Sequence, residues 1–260
     1  MPAMIGQATA SFKPVPRRWL QRAWGTPYIF VRQDWMALWP QLMRLPESGV
    51  RVLDAGCGEG NWTLELGTRR PGWSLVGLDR KEECVLAAET ARRRLGLSNV
   101  SFVRSDFMDF VAETKYDVVL SVFSAHYLIE DGKGTELFGR FRMWLKPGGC
   151  LLLLGPRLEK EIPFVPRLPR PGVRPGFSFE ELSLLCRANG LTVEILRGEV
   201  GMFGTLARQL YYVGSGPFPH LLLRLGLYPL QWAFSFLDAR LTFEKERRAF
   251  TWLLVARAPG

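Results

Sequence analysis

The chain has 260 residues, a formal net charge of +9, four cysteines and two histidines. A chain of this length can form a large core without disulfide or metal staples, and the few histidines and the lack of a C-x-x-C pair argue against a metal site. Because neither a signal-peptide core nor an apolar run of membrane-spanning length is present, we expect a cytoplasmic protein with free thiols.

The positive charge lies mostly outside the centre of the chain. Residues 51–156 are neutral, whereas residues 1–50 carry an excess of four positive charges and residues 157–176 an excess of three. A basic rim could attract an acidic acceptor, anionic lipid or RNA. An ordinary solvated surface explains the same pattern equally well, so both interpretations stay open.

The first 48 residues are predicted to form an arm and a helix, because apolar side chains recur at steps of three and four over 28–45. From 49 to 260, strands and helices alternate, which indicates one α/β domain with a parallel sheet between helices. The predicted strands are Val50–Asp54, Ser74–Asp79, Val100–Arg104, Tyr116–Val122, Cys150–Leu154, Leu191–Leu196 and Phe250–Ala256. The predicted helices are one that begins with Asn61–Gly67, then 81–95, 134–145, one from the Ser178 capping box to Gly190, and a helical insertion at about 201–240.

A glycine-rich turn follows the first predicted strand. Gly56, Gly58 and Gly60 give the spacing G-x-G-x-G, and Asp54 stands two residues before the first of them. A dinucleotide-binding fingerprint would have glycine or alanine at position 61, where this chain has Asn61. The turn therefore predicts a ligand site at the carboxyl end of the strand, of a kind other than a dinucleotide site.

Carboxylates follow the next two predicted strands, and polar and aromatic residues follow the fourth. Asp79 ends the second strand and Asp106 follows the third, so both are expected at the same edge of the sheet. A carboxylate can accept hydrogen bonds from ribose hydroxyls or from an adenine amino group. The alternatives are that Asp79 caps the following helix and that Asp106 is an ordinary loop acid.

Together with the Pro147-Gly148-Gly149 turn, these motifs make residues 50–155 resemble the class I S-adenosylmethionine (SAM) methyltransferases of the small-molecule "type 11" sort. The resemblance implies a Rossmann-like sheet of seven strands with the last one antiparallel, and SAM as the cofactor. It implies that the glycine turn lies against the methionine half of SAM, Asp79 against the ribose, Asp106 against the adenine, and Ser121–Ser124 near the methyl group. The predicted cofactor-binding residues are Asp54, Gly56, Cys57, Gly58, Gly60, Asp79, Arg80, Ser105, Asp106, Phe107, Ser121 and Val122.

Methyl transfer from a sulfonium needs an acceptor held in line, and a hydroxyl acceptor also benefits from a general base. His126 is the candidate base and Tyr127 a candidate for orienting the acceptor; the alternative is that His126 caps the next helix or packs against it. The N/D-P-P-Y/F motif frequent in amino methyltransferases is absent after the fourth strand, which favours O-methylation of a small or lipophilic acceptor.

Two other functions stay open: an RNA methyltransferase, suggested by the basic arm, and a non-catalytic partner protein with a SAM fold. The N-terminal helix and the insertion at about 201–240 are rich in aromatic side chains. They predict either a cover over a lipid-like acceptor, with contact to a membrane surface, or a packed helical cap or dimer contact. RNA is the less favoured partner, and the sequence leaves the oligomeric state open.

Overall fold

The computed structural model describes residues 37–129, 132–158, 176–199 and 249–260, together with the helical positions 230, 233, 234 and 237. Most of the predicted N-terminal arm, most of the proline-rich loop at 156–175 and most of the insertion at 201–240 lie outside the described residues. In the part of the chain that is described, no helix combines the length and the apolar character that crossing a membrane requires.

Besides the helical positions 230, 233, 234 and 237, the described residues form seven strands and six helices. The strands are β1 (Ser48–Ala55), β2 (Gly72–Asp79), β3 (Val100–Arg104), β4 (Tyr116–Val122), β5 (Leu145–Pro156), β6 (Thr192–Gly198) and β7 (Thr251–Arg257). The helices are α1 (37–42), α2 (Asn61–Arg69), α3 (Glu82–Leu95), α4 (His126–Ile129), α5 (Gly134–Trp144) and α6 (Phe179–Ala188).

All seven strands form one sheet in the order β3-β2-β1-β4-β5-β7-β6. The pairs among β1 to β5 are parallel, whereas β7 runs antiparallel to both β5 and β6. The prediction of a seven-stranded sheet with an antiparallel last strand is therefore confirmed. Because β1 to β4 are parallel, their carboxyl ends meet at one edge, where a ligand site is expected.

Apolar clusters cover both faces of the sheet. One face packs against α5 and α6, with Phe138, Phe141 and Phe177 fully buried. The other face carries Trp73 and the apolar residues of α1 and α2. The central strands are buried on both sides, which explains why β4 reads as a nearly continuous apolar run.

The segment before β1 is fixed to the second of these faces. Leu38 and Leu42 of α1 are completely buried. The guanidinium of Arg70 lies 5.5 Å from the ring of Trp39 and 5.3 Å from the ring of Trp73, and it pairs with Glu47. Residues 37–42 are thus part of the same packed core as the sheet.

Helix boundaries follow local signals that the sequence already carries. Ser178 is the N-cap of α6, and its Oγ accepts a hydrogen bond of 3.1 Å from the backbone N–H of Glu181, as the capping box predicted. Gly96 ends α3 with φ of 66°, a left-handed conformation that glycine adopts without strain.

The predicted turn at Lys146–Gly149 lies inside a strand instead of before it. In β5, Leu145 pairs with Tyr116 of β4, and the next paired residue is Cys150, opposite Val118. Five residues of β5 thus correspond to two of β4, and the extra residues loop out of the register. Such a bulge lets β5 begin earlier than the apolar run at Cys150–Leu154 indicates. Lys146 is held there by an ion pair of 2.8 Å with Asp117.

Candidate active site

A cleft of about 310 Å³ opens at the carboxyl ends of β1 to β4. A volume of this size lies at the lower end of the range for small-molecule sites, roughly 300–1,000 Å³. The described residues that line it are Gly56, Gly58, Asp79, Arg80, Lys81, Cys84, Ser105, Asp106, Phe107, Phe123, Ser124 and Tyr127.

Gly56 and Gly58 lie in this turn for different reasons. Both have positive φ, 81° and 54° respectively, which disfavours residues with a Cβ. A Cβ on Gly56 would lie 2.2 Å from the Cβ of Ser124, so glycine here lets the ends of β1 and β4 approach each other. A Cβ on Gly58 would meet nothing within 4 Å, so the missing side chain leaves room beside the cleft.

Asp79 ties β2 to the glycine turn. Its Oδ2 accepts a hydrogen bond of 2.9 Å from the N–H of Gly58, and its Oδ1 accepts one of 2.9 Å from the N–H of Lys81. The N-cap of α3 is Lys81, so the alternative that Asp79 caps this helix does not hold. Since each carboxylate oxygen has two lone pairs, Asp79 can still accept hydrogen bonds from a ligand in the cleft.

Asp106 lies at the corresponding position after β3. Its Oδ1 accepts a hydrogen bond of 3.0 Å from the N–H of Met108, which closes a local turn. Its Oδ2 accepts no hydrogen bond from the described residues. The neighbouring Phe107 is 9 % exposed, packs edge-to-face against Phe141 and Trp144, and also borders the cleft.

A chain of hydrogen bonds fixes the exit of β4. The hydroxyl of Ser124 donates to the carbonyl oxygen of Ala55 at 2.7 Å, so the contact of 2.8 Å with Ser121 is donated by Ser121. Between them, Phe123 has φ of 51° and donates its N–H to the carbonyl oxygen of Leu154 at 2.7 Å. Ser121 is therefore buried below the cleft, whereas Phe123 and Ser124 line it.

Asp54 is buried beneath the glycine turn and does not line the cleft. Its Oδ2 accepts a hydrogen bond of 2.6 Å from the hydroxyl of Thr63 on α2. Burial raises the pKa of Asp54 to about 7, and the charge of Asp79 adds to this while the Thr63 hydrogen bond opposes it. The carboxyl group joins β1 to α2 across the turn.

The two candidate catalytic residues differ in their surroundings. The ring of Tyr127 is 42 % exposed and borders the cleft, whereas His126 is 6 % exposed and is not among the residues that line it. The ring centroids of the two side chains are 4.2 Å apart. Burial lowers the pKa of His126 to about 4, and its Nδ1 has no hydrogen-bond partner among the described residues. The imidazole is neutral near pH 7 and only weakly basic.

The structure brings together seven of the predicted cofactor-binding residues along the cleft. They are Gly56, Gly58, Asp79, Arg80, Ser105, Asp106 and Phe107. Five others lie behind it, in the strands and the turn, namely Asp54, Cys57, Gly60, Ser121 and Val122. Gly60 packs closely, since a Cβ there would lie 2.7 Å from the ring of Phe102, and the Sγ of Cys57 lies over Gly77.

Lys81 and Cys84 line the cleft and were not predicted to do so. Lys81 is the N-cap of α3 and Cys84 lies in its first turn, so the start of α3 at the sheet edge was the signal that could have revealed them. Phe123 and Ser124 lie in the predicted segment after β4, although neither was chosen as a contact residue.

Comparison with known proteins agrees with this geometry. Residues 52–149 match the family model described as "Methyltransferase domain". A trans-aconitate 2-methyltransferase of Methylobacterium nodulans is 31% identical over 171 residues, which cover 60% of this chain and 63% of the relative. A release factor glutamine methyltransferase of Shewanella oneidensis is 31% identical over 105 residues, 38% of this chain and 37% of that protein.

Among solved structures, a putative sarcosine dimethylglycine methyltransferase from Galdieria sulphuraria superposes with a TM-score of 0.61 at 15% identity, over 88% of this chain and 86% of that one. The fold is thus the Rossmann-like fold of class I methyltransferases. The chain carries a class I SAM-dependent methyltransferase domain over residues 52–149. It spans little more than a third of the length of the Shewanella relative and less than two thirds of the Methylobacterium relative, so the similarity concerns the domain.

Proposed function

We propose that this chain binds SAM in the cleft and transfers its methyl group to a small or lipophilic acceptor, with oxygen as the favoured acceptor atom. The observation that carries the proposal is the placement of Asp79, Asp106 and the glycine turn on one cleft at the ends of adjacent parallel strands. The matching domain family supports the same donor.

The residues of the cleft fit SAM. The space left open beside Gly58 allows a ligand to approach the backbone, and the carboxylates of Asp79 and Asp106 can accept hydrogen bonds from hydroxyl and amino groups. When bound, SAM supplies a methyl group already activated on a positively charged sulfur. Asp79 would hold the ribose, Asp106 would hold the adenine, and Phe107 would offer the ring an apolar neighbour.

On the acceptor side, this chain supplies position more than proton transfer. Tyr127 is exposed at the cleft and can contact an acceptor directly. The role of His126 as a general base stays a prediction. Its buried ring and low pKa make it a weak proton acceptor. Correct positioning alone can contribute about 7–11 kcal/mol to such a reaction.

The lipophilic character of the acceptor is supported by the described positions of the predicted insertion. Leu230 and Leu237, both at helical positions, are 48 % and 41 % exposed. Exposed apolar side chains of this kind suit a lipid-like acceptor or a membrane surface. The two relatives are named for different acceptors, trans-aconitate and a release factor glutamine.

The test is transfer of labelled methyl from SAM into separated lipid, metabolite, RNA and protein pools from a cell extract. Label in the lipid or metabolite pool supports the proposal. Label only in RNA would replace it with the RNA methyltransferase alternative. Binding of SAM without transfer to any pool would favour the non-catalytic partner, and absence of SAM binding would overturn the assignment of the cleft.

Asp79→Ala and Asp109→Asn form a matched pair for this assay. Asp79→Ala removes a cleft carboxylate and is expected to abolish transfer and to weaken SAM binding. Asp109 is an exposed acid three residues beyond Asp106 that does not line the cleft, so Asp109→Asn is expected to behave like the unaltered protein. Unchanged transfer by Asp79→Ala would contradict the role of Asp79.

A further inference from the structure

The two sides of the cleft differ in chemistry. Asp79, Arg80, Lys81 and Asp106 all lie on the side formed by β2 and β3. The described residues that line the β4 side, Phe123, Ser124 and Tyr127, carry no charge, and we call them the aromatic end of the cleft.

The strand order keeps the acids away from the aromatic end. In the sequence β3-β2-β1-β4, the exit of β4 is three strand positions from the exit of β3. At about 4.8 Å per strand spacing, the ends of β3 and β4 are roughly 14 Å apart. A cationic group held at the exit of β4 would therefore lie beside two aromatic side chains and a hydroxyl, whereas Asp79 and Asp106 lie at the ends of strands two and three positions away.

The backbone holds the aromatic end in an unfavourable conformation. Phe123 is the one non-glycine residue with positive φ in the described part of the chain, at 51°. Bulky residues adopt this conformation at a cost, and such residues are found where surrounding structure enforces them, often at binding sites. Here the hydrogen bonds from Phe123 to Leu154 and from Ser124 to Ala55 enforce it. Phe123 and Tyr127 are consequently both presented to the cleft.

We propose that the rings of Phe123 and Tyr127 recognise the positive charge of the sulfonium, so that the cleft distinguishes the methyl donor from the demethylated product. This inference rests on the proposed function. An aromatic ring face attracts a cation, and unlike a carboxylate it presents no lone pair that the activated methyl group could alkylate. The aromatic end thus stabilises the charge without competing with the acceptor.

The discrimination follows from the charge balance of the transfer. A lone pair of the acceptor forms a bond to the methyl carbon while the methyl–sulfur bond breaks. The pair of electrons in that bond stays on sulfur, which becomes a neutral thioether, and the acceptor loses its proton to solvent or to a base. The attraction to the rings ends with the charge, so the rings strengthen the binding of SAM and not that of S-adenosylhomocysteine (SAH).

Calorimetric titration with SAM and with SAH tests this proposal. Phe123→Leu and Tyr127→Leu each remove the aromatic ring. Leucine is apolar and, like Phe and Tyr, is not branched at Cβ. Together they are expected to weaken SAM binding by about threefold to thirtyfold, the range of a cation–ring contact, and to change SAH binding by less than about twofold. Phe123→Tyr keeps a ring and is expected to retain the preference for SAM.

An equal loss of affinity for SAM and SAH, or an unchanged ratio of the two, would overturn the inference and leave the methyltransferase proposal intact. If the unaltered protein binds neither compound, the proposed function itself fails. Retained SAH binding shows that a variant is folded. Tyr127→Leu alone replaces an exposed side chain, so it provides the measurement if the double variant does not fold.

Discussion

The free energy of unfolding of Asp54→Asn, relative to that of the original protein, should increase as the pH rises. Asp54 is buried, and burial raises its pKa from an ordinary value of 3.8 to about 7. Between these values the unfolded chain releases the proton while the folded chain keeps it, so folding stability falls as pH rises. The loss is complete above the folded pKa and corresponds to about 4 kcal/mol.

An asparagine mimics the protonated carboxyl group and does not ionise. Its Oδ1 can still accept the hydrogen bond that Thr63 donates to Asp54 at 2.6 Å. About 1.5 of the 4 kcal/mol is already lost at about pH 5, so the stability of Asp54→Asn relative to the original protein should increase by about 2.5 kcal/mol between about pH 5 and about pH 8.5.

Urea unfolding at both pH values measures this difference, provided that the slope with denaturant is the same for the two proteins. Asp109→Asn, which alters an exposed acid, should show no such change with pH. A difference between Asp54→Asn and the original protein that stays constant within about 0.5 kcal/mol across this range would refute the buried, proton-holding role of Asp54.

Four further substitutions have expected outcomes. Gly56→Ala should cost about 1–3 kcal/mol of stability and weaken SAM binding, because its Cβ would overlap Ser124, whereas Gly58→Ala should spare more stability and mainly weaken binding in the same titrations. Ser178→Ala should cost about 1 kcal/mol in urea unfolding by removing the N-cap of α6, and a loss of under about 0.3 kcal/mol would argue against the cap. Phe138→Ala should cost about 3–5 kcal/mol because the ring is fully buried, and an unchanged unfolding midpoint would contradict its place in the core.

Much of the fold could be predicted because local signals and the global sheet agree. The bounds of β3 and β4 match the predicted strands, and the Ser178 capping box marks the start of α6. The start of β5 could not be predicted in this way, because the register shift at Lys146–Gly149 depends on pairing with β4. Leu95, four residues after the buried Ala91, is 39 % exposed at the end of α3. The spacing of apolar residues predicts which face of a helix is apolar. It does not predict how much of that face is covered by other elements.

The candidate site was predictable at the ends of strands and less so behind them. Asp79 and Asp106 line the cleft because strand direction alone places residues at the carboxyl edge. Whether a side chain at such a position turns outward or inward depends on its tertiary partners. Asp54 turns inward because Thr63 of α2 offers it a hydroxyl, and no spacing in the sequence announces that contact. The packing of His126 is likewise a tertiary result.

The position of β7 has a consequence for how the chain folds during synthesis. β7 lies between β5 and β6, although it is the last strand in the chain. The first five strands can pair soon after they leave the ribosome, but β6 has no partner in the sheet until residues 251–257 arrive. Until then the edge of β5 from Cys150 to Pro156 is also open. Premature termination before this strand would leave one apolar strand edge exposed and another strand unpaired, a combination that favours aggregation over a smaller functional sheet.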